Sequence, residues 1–291
     1  MRDFSGKVAF VTGGAGGIGL ALARSFAAAG AAVMICDIEA AALGRAVEEL
    51  AAVSPDVDGL VCDVADRDDV QKAASTTFDR FGDVHILCNN AGVSRAGRIE
   101  KIAELDWQWV LGVNLMGVVH GIQAFLPRMK ASSEDCHVVN TSSMVGLVGG
   151  ALSGPYAATK FGIVGISDVL AAELEGSNVA VSVLCPSWVR TQMPNNGRNR
   201  PERFGGPFDL ASDTENAERN ARYLAAAELG LDPVEVAAMV LDAIRHKRRY
   251  IFTHKEGRSD VDRHQALVNE GFDAADAWEY QPHQLAEEPA R

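Results

Sequence analysis

One stretch decides the fold of this chain: Thr12-Gly13-Gly14-Ala15-Gly16-Gly17-Ile18-Gly19. It follows an apolar, strand-like run at 8–11 and opens a helical pattern at 18–29. Glycines at such a turn let the backbone approach a pyrophosphate, while amide groups at the helix N-terminus face its negative charge. The context therefore predicts a dinucleotide site that includes Gly13, Gly17, Ile18 and Gly19.

Strand-like runs and helical patterns alternate along the rest of the chain. The strand-like runs lie near 32–36, 57–62, 84–88, 136–142 and 179–185, and the helical patterns near 40–52, 67–81, 104–130 and 155–175. Continuous apolar strands belong to a parallel sheet that helices cover on both faces. Right-handed crossovers then give an α/β, doubly wound Rossmann fold. We predict one such domain over residues 1–254.

The C-terminal third changes in composition. Turn formers dominate the beginning of the segment 194–230, which predicts a substrate lid inserted into the domain; the alternative is a locally disordered stretch. Asp232 before Pro233 predicts an N-cap and a new helix, and a final strand follows near 249–253. Residues 255–291 are predicted to form a C-terminal extension, with a surface helix and a fraying end.

The composition limits the classes of binding partner and indicates the cellular compartment. The chain has 39 acidic against 27 basic residues, a net charge of −12, which argues against a nucleic-acid partner. No signal peptide is evident, and strand-like apolar runs are far shorter than the roughly 20 residues of a membrane span. The five scattered cysteines indicate small buried side chains in a reducing compartment. We expect a cytoplasmic protein with no metal site, no membrane contact and a small-molecule substrate.

Asp37 indicates which dinucleotide is bound. It ends the second strand, 18 residues after Gly19, where a carboxylate accepts hydrogen bonds from the adenosine ribose and repels a 2′-phosphate. No Lys or Arg lies in the glycine turn or directly after Asp37, so the sequence favours NAD over NADP; the alternative for Asp37 is a helix N-cap. Other predicted cofactor contacts follow the second, third and fourth strands, with turn chemistry as the alternative: Ile38, Asp63, Val64, Asn90, Ala91 and Gly92.

Tyr156 and Lys160 stand four residues apart in a helical pattern, so their side chains leave the same face. An ammonium near a phenol favours the phenolate and moves its pKa of about 10 toward the working pH. By itself the pair is more often an exposed helix pair. Its context here is Asn140-Thr141-Ser142-Ser143 at the end of the fifth strand, which places Ser143 thirteen residues before Tyr156.

Taken together, these motifs resemble the short-chain dehydrogenase/reductase family over residues 5–193. The resemblance implies that Ser143 bonds the substrate oxygen and that Tyr156 transfers the proton. It implies that Lys160 binds the nicotinamide ribose and lowers the Tyr156 pKa, and that Asn114 holds a water linking Lys160 to solvent. The cofactor, which Tyr156 and Lys160 also contact, supplies the hydride chemistry. The family further implies a homodimer or homotetramer.

Two regions depart from the family pattern. After the sixth strand, Ser187 replaces a glycine, while Pro186, Val189 and Thr191 keep their implied contacts with the nicotinamide and the phosphates. Trp188 is either a wall of the substrate site or plain packing. The C-terminal pattern of many members is absent, and the ending at 232–291, with 112–114 and 150–156, resembles bacterial Cα-dehydrogenases of lignin-derived aryl ether alcohols.

The sequence therefore predicts an NAD-dependent oxidoreductase that acts on a secondary alcohol or ketone, bulky or aromatic. The alternatives are a non-catalytic NAD-binding regulator or scaffold, and an epimerase or dehydratase of the same family. Substrate contacts are predicted from Ser94 and Arg95 after the fourth strand and from the stretches 145–153 and 188–208, with core or loop packing as the alternative. The individual residues predicted to contact the substrate are Ser143, Val145, Ser153, Tyr156 and Trp188.

Overall fold

Seven parallel strands form one sheet within the residues that the computed structural model describes, 1–210 and 216–278. Their order is β3-β2-β1-β4-β5-β6-β7, so the winding reverses between β1 and β4. This confirms the predicted doubly wound fold. The strands are β1 Val8–Thr12, β2 Ala32–Asp37, β3 Val57–Val61, β4 Ile86–Asn89, β5 Cys136–Thr141, β6 Val179–Cys185 and β7 Tyr250–Phe252.

Helices cover both faces of this sheet because the strands are apolar on both sides. One apolar cluster joins the sheet to residues such as Leu22, Phe26 and Ile244, and a second contains Phe78 and Phe125. All five cysteines are buried and free, as expected for small core side chains. The helices are α1 Gly17–Ala28, α2 Ala40–Ala51, α3 Arg67–Phe81, α4 Glu104–Val110, α5 Gly117–Ala131, α6 Gly154–Glu173, α7 Ala217–Glu228, α8 Pro233–Arg245 and α9 Arg258–Asp276.

The helical pattern predicted over 104–130 is confirmed, and the helix contains one irregular turn. A π-helical turn, Leu111–Met116, joins α4 to α5, and the Gly117 N–H donates to the Gly112 carbonyl five residues back. Neither glycine has a side chain, which lets this turn pack closely against residues 64–65. The spacing of apolar residues does not show whether a backbone N–H donates to the carbonyl five residues back, as in a π-helix, or four residues back, as in an α-helix. Such turns are frequent at functional sites, and this one contains Asn114.

The same helical stretch, Glu104–Ala131, is long and apolar enough to cross a bilayer, although the sequence analysis found no such segment. Its apolar character has another explanation in this fold. Trp109, Phe125 and Met129 are almost fully buried against the core of the protein. The stretch is therefore a core helix.

The segment after β6 is less irregular than its sequence suggests. Short 3₁₀ turns cover Met193–Asn199 and Glu202–Phe204, and α7 follows the undescribed residues 211–215. The predicted N-cap is confirmed, because the Asp232 carboxylate accepts a hydrogen bond from Val234 N at the start of α8.

The chain divides into two compact units, Met1–His254 and a second that starts at Lys255. In the second unit, α9 is a surface helix with no buried residue in its described length, as predicted. The predicted fraying end, 279–291, lies outside the described residues.

Candidate active site

A cavity of about 850 Å³ opens at the carboxyl edge of the sheet, where β1 and β4 part. Ligands of open α/β sheets bind at this switch point. Gly19 and Asn114 lie behind the wall, and the other predicted site residues line it: Gly13, Gly17, Ile18, Asp37, Ile38, Asp63, Val64, Asn90, Ala91, Gly92, Ser143, Val145, Ser153, Tyr156, Lys160, Pro186, Trp188, Val189 and Thr191.

The glycine turn needs its glycines for two different reasons. Gly13 and Gly17 have φ of +65° and +53°, a conformation that disfavours other side chains. At Gly19 an added Cβ would lie 2.0 Å from Gly13 O, so only glycine fits. No side chain caps α1, and its first turn has no acidic residue. The N-terminus of α1 is therefore suited to an anion.

The Asp37 carboxylate is held at the end of β2. Its two oxygens accept hydrogen bonds of 3.1 Å from Ala15 N and Glu39 N. Burial desolvates the carboxylate, and this raises the pKa of Asp37. The alternative interpretation as a helix N-cap is wrong, because α2 begins at Ala40 after Glu39. Each oxygen keeps a second acceptor position, which suits two ribose hydroxyls.

Residues of the segment 194–230 reach this same end of the cavity, where the sequence analysis did not place them. Arg198 forms a two-point ion pair with Glu39, with Nη2 2.6 Å and Nε 3.2 Å from the carboxylate oxygens. Asn199 Nδ2 donates to the same carboxylate at 2.7 Å. Arg45 also lines this end, so two arginines lie where the sequence indicated none. No local pattern could have found a contact between residues 159 positions apart.

Two predicted cofactor contacts also shape turns. Asn90 Nδ2 donates to Thr12 O at 3.0 Å, and the Asn90 backbone N–H donates to Thr12 Oγ1. Asp63 Oδ1 accepts from Ala65 N, and its other oxygen pairs with Arg203. The two interpretations of these residues are compatible, because structural hydrogen bonds fix them on the cavity wall.

Lys160 and Tyr156 lie side by side on α6. Lys160 Nζ is 5.4 Å from the centroid of the Tyr156 ring and donates to Thr141 O at 2.8 Å. Burial lowers the pKa of Lys160 to about 8 and raises that of Tyr156 to about 12, with the Ser143 hydroxyl opposing the latter. The predicted lowering of the Tyr156 pKa is therefore wrong for this structure, since desolvation of the phenol outweighs its neighbours.

The two adjacent serines have different partners. Ser143 Oγ donates to Pro186 O at 3.3 Å, accepts from Val145 N at 3.2 Å and lines the cavity beside Tyr156. Ser142 Oγ instead donates to Lys160 O at 2.8 Å. Ser142 thus fastens α6 to the end of β5, and Ser143 is the hydroxyl available to a substrate.

Asn114 has a clasping role that the sequence did not reveal. Its Oδ1 accepts from Val93 N at 2.8 Å, and its Nδ2 donates to Val93 O and to Thr159 Oγ1. Both amide hydrogens are therefore used by the protein. The clasp fixes the loop after β4 against α6, and the water that the family resemblance implies has no free donor on this side chain.

One half of the cavity is lined by aromatic side chains. Trp188 stands on its wall and meets Tyr223 at 5.5 Å in an edge-to-face contact, and Trp109 meets Phe208 in the same way at 6.0 Å. Of these four, the sequence analysis singled out only Trp188, and Phe208 ends the stretch 188–208 in which it predicted substrate contacts. The signal for Trp109 was hidden, because Trp109 lies in a helical pattern that core packing explains equally well. Tyr223 lies in the segment 194–230, after the part in which the sequence analysis predicted contacts.

The geometry agrees with the comparison of this chain with known families. The family model described as short chain dehydrogenase matches residues 7–202. The chain belongs to the short-chain dehydrogenase/reductase family. It is thus an oxidoreductase of alcohols and ketones, and the predicted resemblance is confirmed.

Relatives of this dehydrogenase extend the match beyond the shared domain. The C alpha-dehydrogenase of Sphingobium sp. strain SYK-6 is 35% identical over 271 residues, 92% of this chain and 88% of that protein. A 1-deoxy-11-beta-hydroxypentalenate dehydrogenase of Streptomyces avermitilis is 38% identical over 87% of this chain and 86% of its own length. A solved structure of a Burkholderia phymatum short-chain dehydrogenase/reductase in complex with NAD has a TM-score of 0.88, with 35% identity and coverage of 93% and 97%.

Proposed function

We propose that this dehydrogenase uses NAD to interconvert a bulky, aromatic secondary alcohol and its ketone. One observation carries the proposal. The hydroxyl of Ser143, the phenol of Tyr156 and the ammonium of Lys160 line one cavity together with the glycine turn and Asp37. When bound there, the nicotinamide cofactor would accept or deliver the hydride.

The residues present fit NAD. The N-terminus of α1 and the glycine turn suit the pyrophosphate, and the Asp37 carboxylate suits the ribose hydroxyls. Asp37 and the neighbouring Glu39 both oppose a 2′-phosphate, and Glu39 already pairs with Arg198. The Burkholderia phymatum relative, whose structure contains NAD, supports the same choice.

Tyr156 and Lys160 have different roles in the proton transfer. With its pKa raised to about 12, Tyr156 holds its proton at neutral pH and can donate it to a ketone oxygen that Ser143 also bonds. With a pKa of about 8, Lys160 is mostly protonated at pH 7, so its ammonium stabilises the phenolate left behind. The reverse transfer serves alcohol oxidation.

The aromatic half of the cavity favours a bulky substrate. Val145, Trp188 and Tyr223 line it together with Trp109 and Phe208. Aromatic rings stack favourably edge-to-face, so an aryl group gains more here than a small alkyl group. The resemblance to Cα-dehydrogenases of lignin-derived aryl ether alcohols supports an aryl substrate, and the C alpha-dehydrogenase of Sphingobium sp. is 35% identical to this chain.

We also propose that residues 194–230 act as a lid on the domain 1–254, with 255–291 as an extension. The pairs Arg198–Glu39 and Arg203–Asp63 support this role, since both join the lid segment to the cofactor end of the cavity. Both pairs are partly exposed. Each is therefore weak enough to open during cofactor exchange.

The test is a panel of aryl secondary alcohols assayed with NAD. We expect reduced nicotinamide to form with at least one member and Tyr156→Phe to lower kcat at least about 100-fold, because proton transfer is lost. NAD binding should survive the substitution. A variant that keeps full activity would refute the mechanism, NAD binding without turnover across the panel would favour a regulator, and an isomerised or dehydrated product without net cofactor reduction would favour an epimerase or dehydratase.

We propose that the protein is cytoplasmic and forms a homodimer or homotetramer. Its buried free cysteines suit a reducing compartment. Exposed apolar side chains on the π turn and α6, Met116, Phe161 and Val169, support a subunit interface. A monomer in light scattering would contradict the oligomer.

A further inference from the structure

A charge cluster lies beside the aromatic half of the cavity. Asp106, whose side chain is 6% exposed, faces two arginines. Arg95 Nε lies 3.2 Å from one carboxylate oxygen and Arg200 Nη1 lies 3.0 Å from the other. Within residues 1–210 and 216–278, no second carboxylate pairs with either arginine. The cluster therefore has one positive charge in excess.

Arg95 carries that excess charge to the cavity wall. Its side chain is 30% exposed and lines the cavity, whereas Arg200 does not line it. Only Nε of Arg95 bonds to Asp106; in the described part of the chain its two Nη groups donate to no protein atom. The Phe208 ring lies 4.6 Å from the guanidinium carbon and flanks it. Among the described residues, the guanidinium thus keeps one edge without a protein partner, on the wall of a cavity that Phe208 also lines.

The segment that holds Arg95 is rigid. Asn114 clasps Val93, and Asn196 Oδ1 accepts from Ser94 N at 3.1 Å. Asp106 then holds Arg95 itself. Three successive residues are fixed by three different elements, so Arg95 is positioned before a ligand arrives.

The same segment sets the distance from Arg95 to the reacting groups. A Cβ at Gly92 would lie 3.6 Å from Lys160 Nζ, so the segment starts beside the catalytic lysine. Arg95 comes three positions after Gly92, so their Cα atoms are at most about 10 Å apart. Arg95, Ser143 and Tyr156 line the same cavity, so one substrate can contact all three.

We propose that Arg95 binds a carboxylate on the substrate, so that this dehydrogenase acts on aryl secondary alcohols or ketones whose ring bears an anionic group. The proposal rests on the proposed function for the place of the reaction, but not for the binding itself. A guanidinium edge matches a carboxylate with two parallel hydrogen bonds. An anion there would also neutralise the excess charge of a largely buried cluster.

Binding without turnover provides the first test. Quenching of tryptophan fluorescence reports the cavity, since Trp109 and Trp188 line it, and the probes are benzoate and its neutral isostere benzamide. We expect benzoate to bind the unaltered protein at least about tenfold more tightly, as for hydrogen bonds between charged groups. Equal affinity, or no benzoate binding at millimolar concentration, would overturn the proposal.

Substitutions assign the preference to Arg95. Arg95→Met should abolish it, and Arg95→Lys should keep part of it, because the charge remains but the two-point geometry is lost. Arg98→Met is the matched control, since Arg98 is 69% exposed and pairs with Glu100 outside the cavity. A preference that persists in Arg95→Met would assign the anion to another residue and refute the proposal.

Turnover then separates this inference from the proposed function. With reduced nicotinamide, 4-acetylbenzoate should have a kcat/KM at least about tenfold above that of 4-acetylbenzamide in the unaltered protein, and Arg95→Met should equalise the two. Selective benzoate binding with no turnover of any ketone would refute the oxidoreductase assignment and leave the anion site standing. Turnover of both ketones at equal rates would refute the anion site and leave the oxidoreductase assignment standing.

Discussion

Lys160→Met should stabilise the protein at neutral pH while it removes activity. Lys160 is 2% exposed, so its ammonium is desolvated in the native state. Burial lowers its pKa from 10.5 to about 8. Each tenfold change in a protonation equilibrium is worth about 1.4 kcal/mol, so the charge costs the cofactor-free native state about 3 kcal/mol at pH 7.

The sign of this effect changes with pH. Between pH 8 and 10.5 the unfolded chain binds the Lys160 proton and the native state does not, so the free energy of unfolding of the unaltered protein rises with pH. The variant lacks this rise. It also leaves Thr141 O without the 2.8 Å hydrogen bond from Nζ, at a cost of about 1 to 1.5 kcal/mol.

We therefore expect Lys160→Met to be more stable by about 2 kcal/mol at pH 7 and less stable by about 1 kcal/mol near pH 10.5. Urea unfolding of both proteins without cofactor at a series of pH values measures the difference. Other titrating groups are common to the two chains and cancel. A variant less stable at pH 7, or a difference that does not change with pH, would refute the reasoning.

Three further predictions concern the cofactor end of the cavity. Asp37→Ala should raise kcat/KM for NADP relative to NAD at least about tenfold, since it removes a ribose acceptor and a repulsive charge; an unchanged ratio would contradict this. Gly19→Ala should abolish NAD binding in a titration, because its Cβ would lie 2.0 Å from Gly13 O, whereas Gly44→Ala, with nothing within 4 Å, should leave it unchanged. Glu39→Gln should speed the release of reduced NAD up to about fivefold in stopped-flow fluorescence, as the partly exposed pair with Arg198 is worth up to about 1 kcal/mol; an unchanged rate would argue against the lid.

Much of the fold could be predicted because its signals are local. Apolar runs bounded by turn formers located the strands β1 to β7, and Asp232-Pro233 located the start of α8. The π turn at Leu111–Met116 could not be predicted, since it depends on how closely residues 112 and 117 pack against the segment after β3. Helical periodicity looks the same with or without it.

The sequence by itself determined those parts of the site whose geometry follows from the spacing of residues along the chain. The glycine turn between β1 and α1 needs no information from elsewhere, and Tyr156 and Lys160 share a face because they lie one helical turn apart. For these residues the local backbone dictates the geometry.

Only the tertiary structure decided what depends on burial and on distant segments. The Tyr156 pKa rises instead of falling because the fold removes water from the phenol, and no spacing encodes desolvation. Arg198 meets Glu39 across 159 positions, and the excess charge on Arg95 emerges only when Arg200 shares the Asp106 carboxylate with it. The pKa of a side chain and the net charge around it depend on the residues that the fold packs against it. The order of residues along the chain therefore does not reveal them.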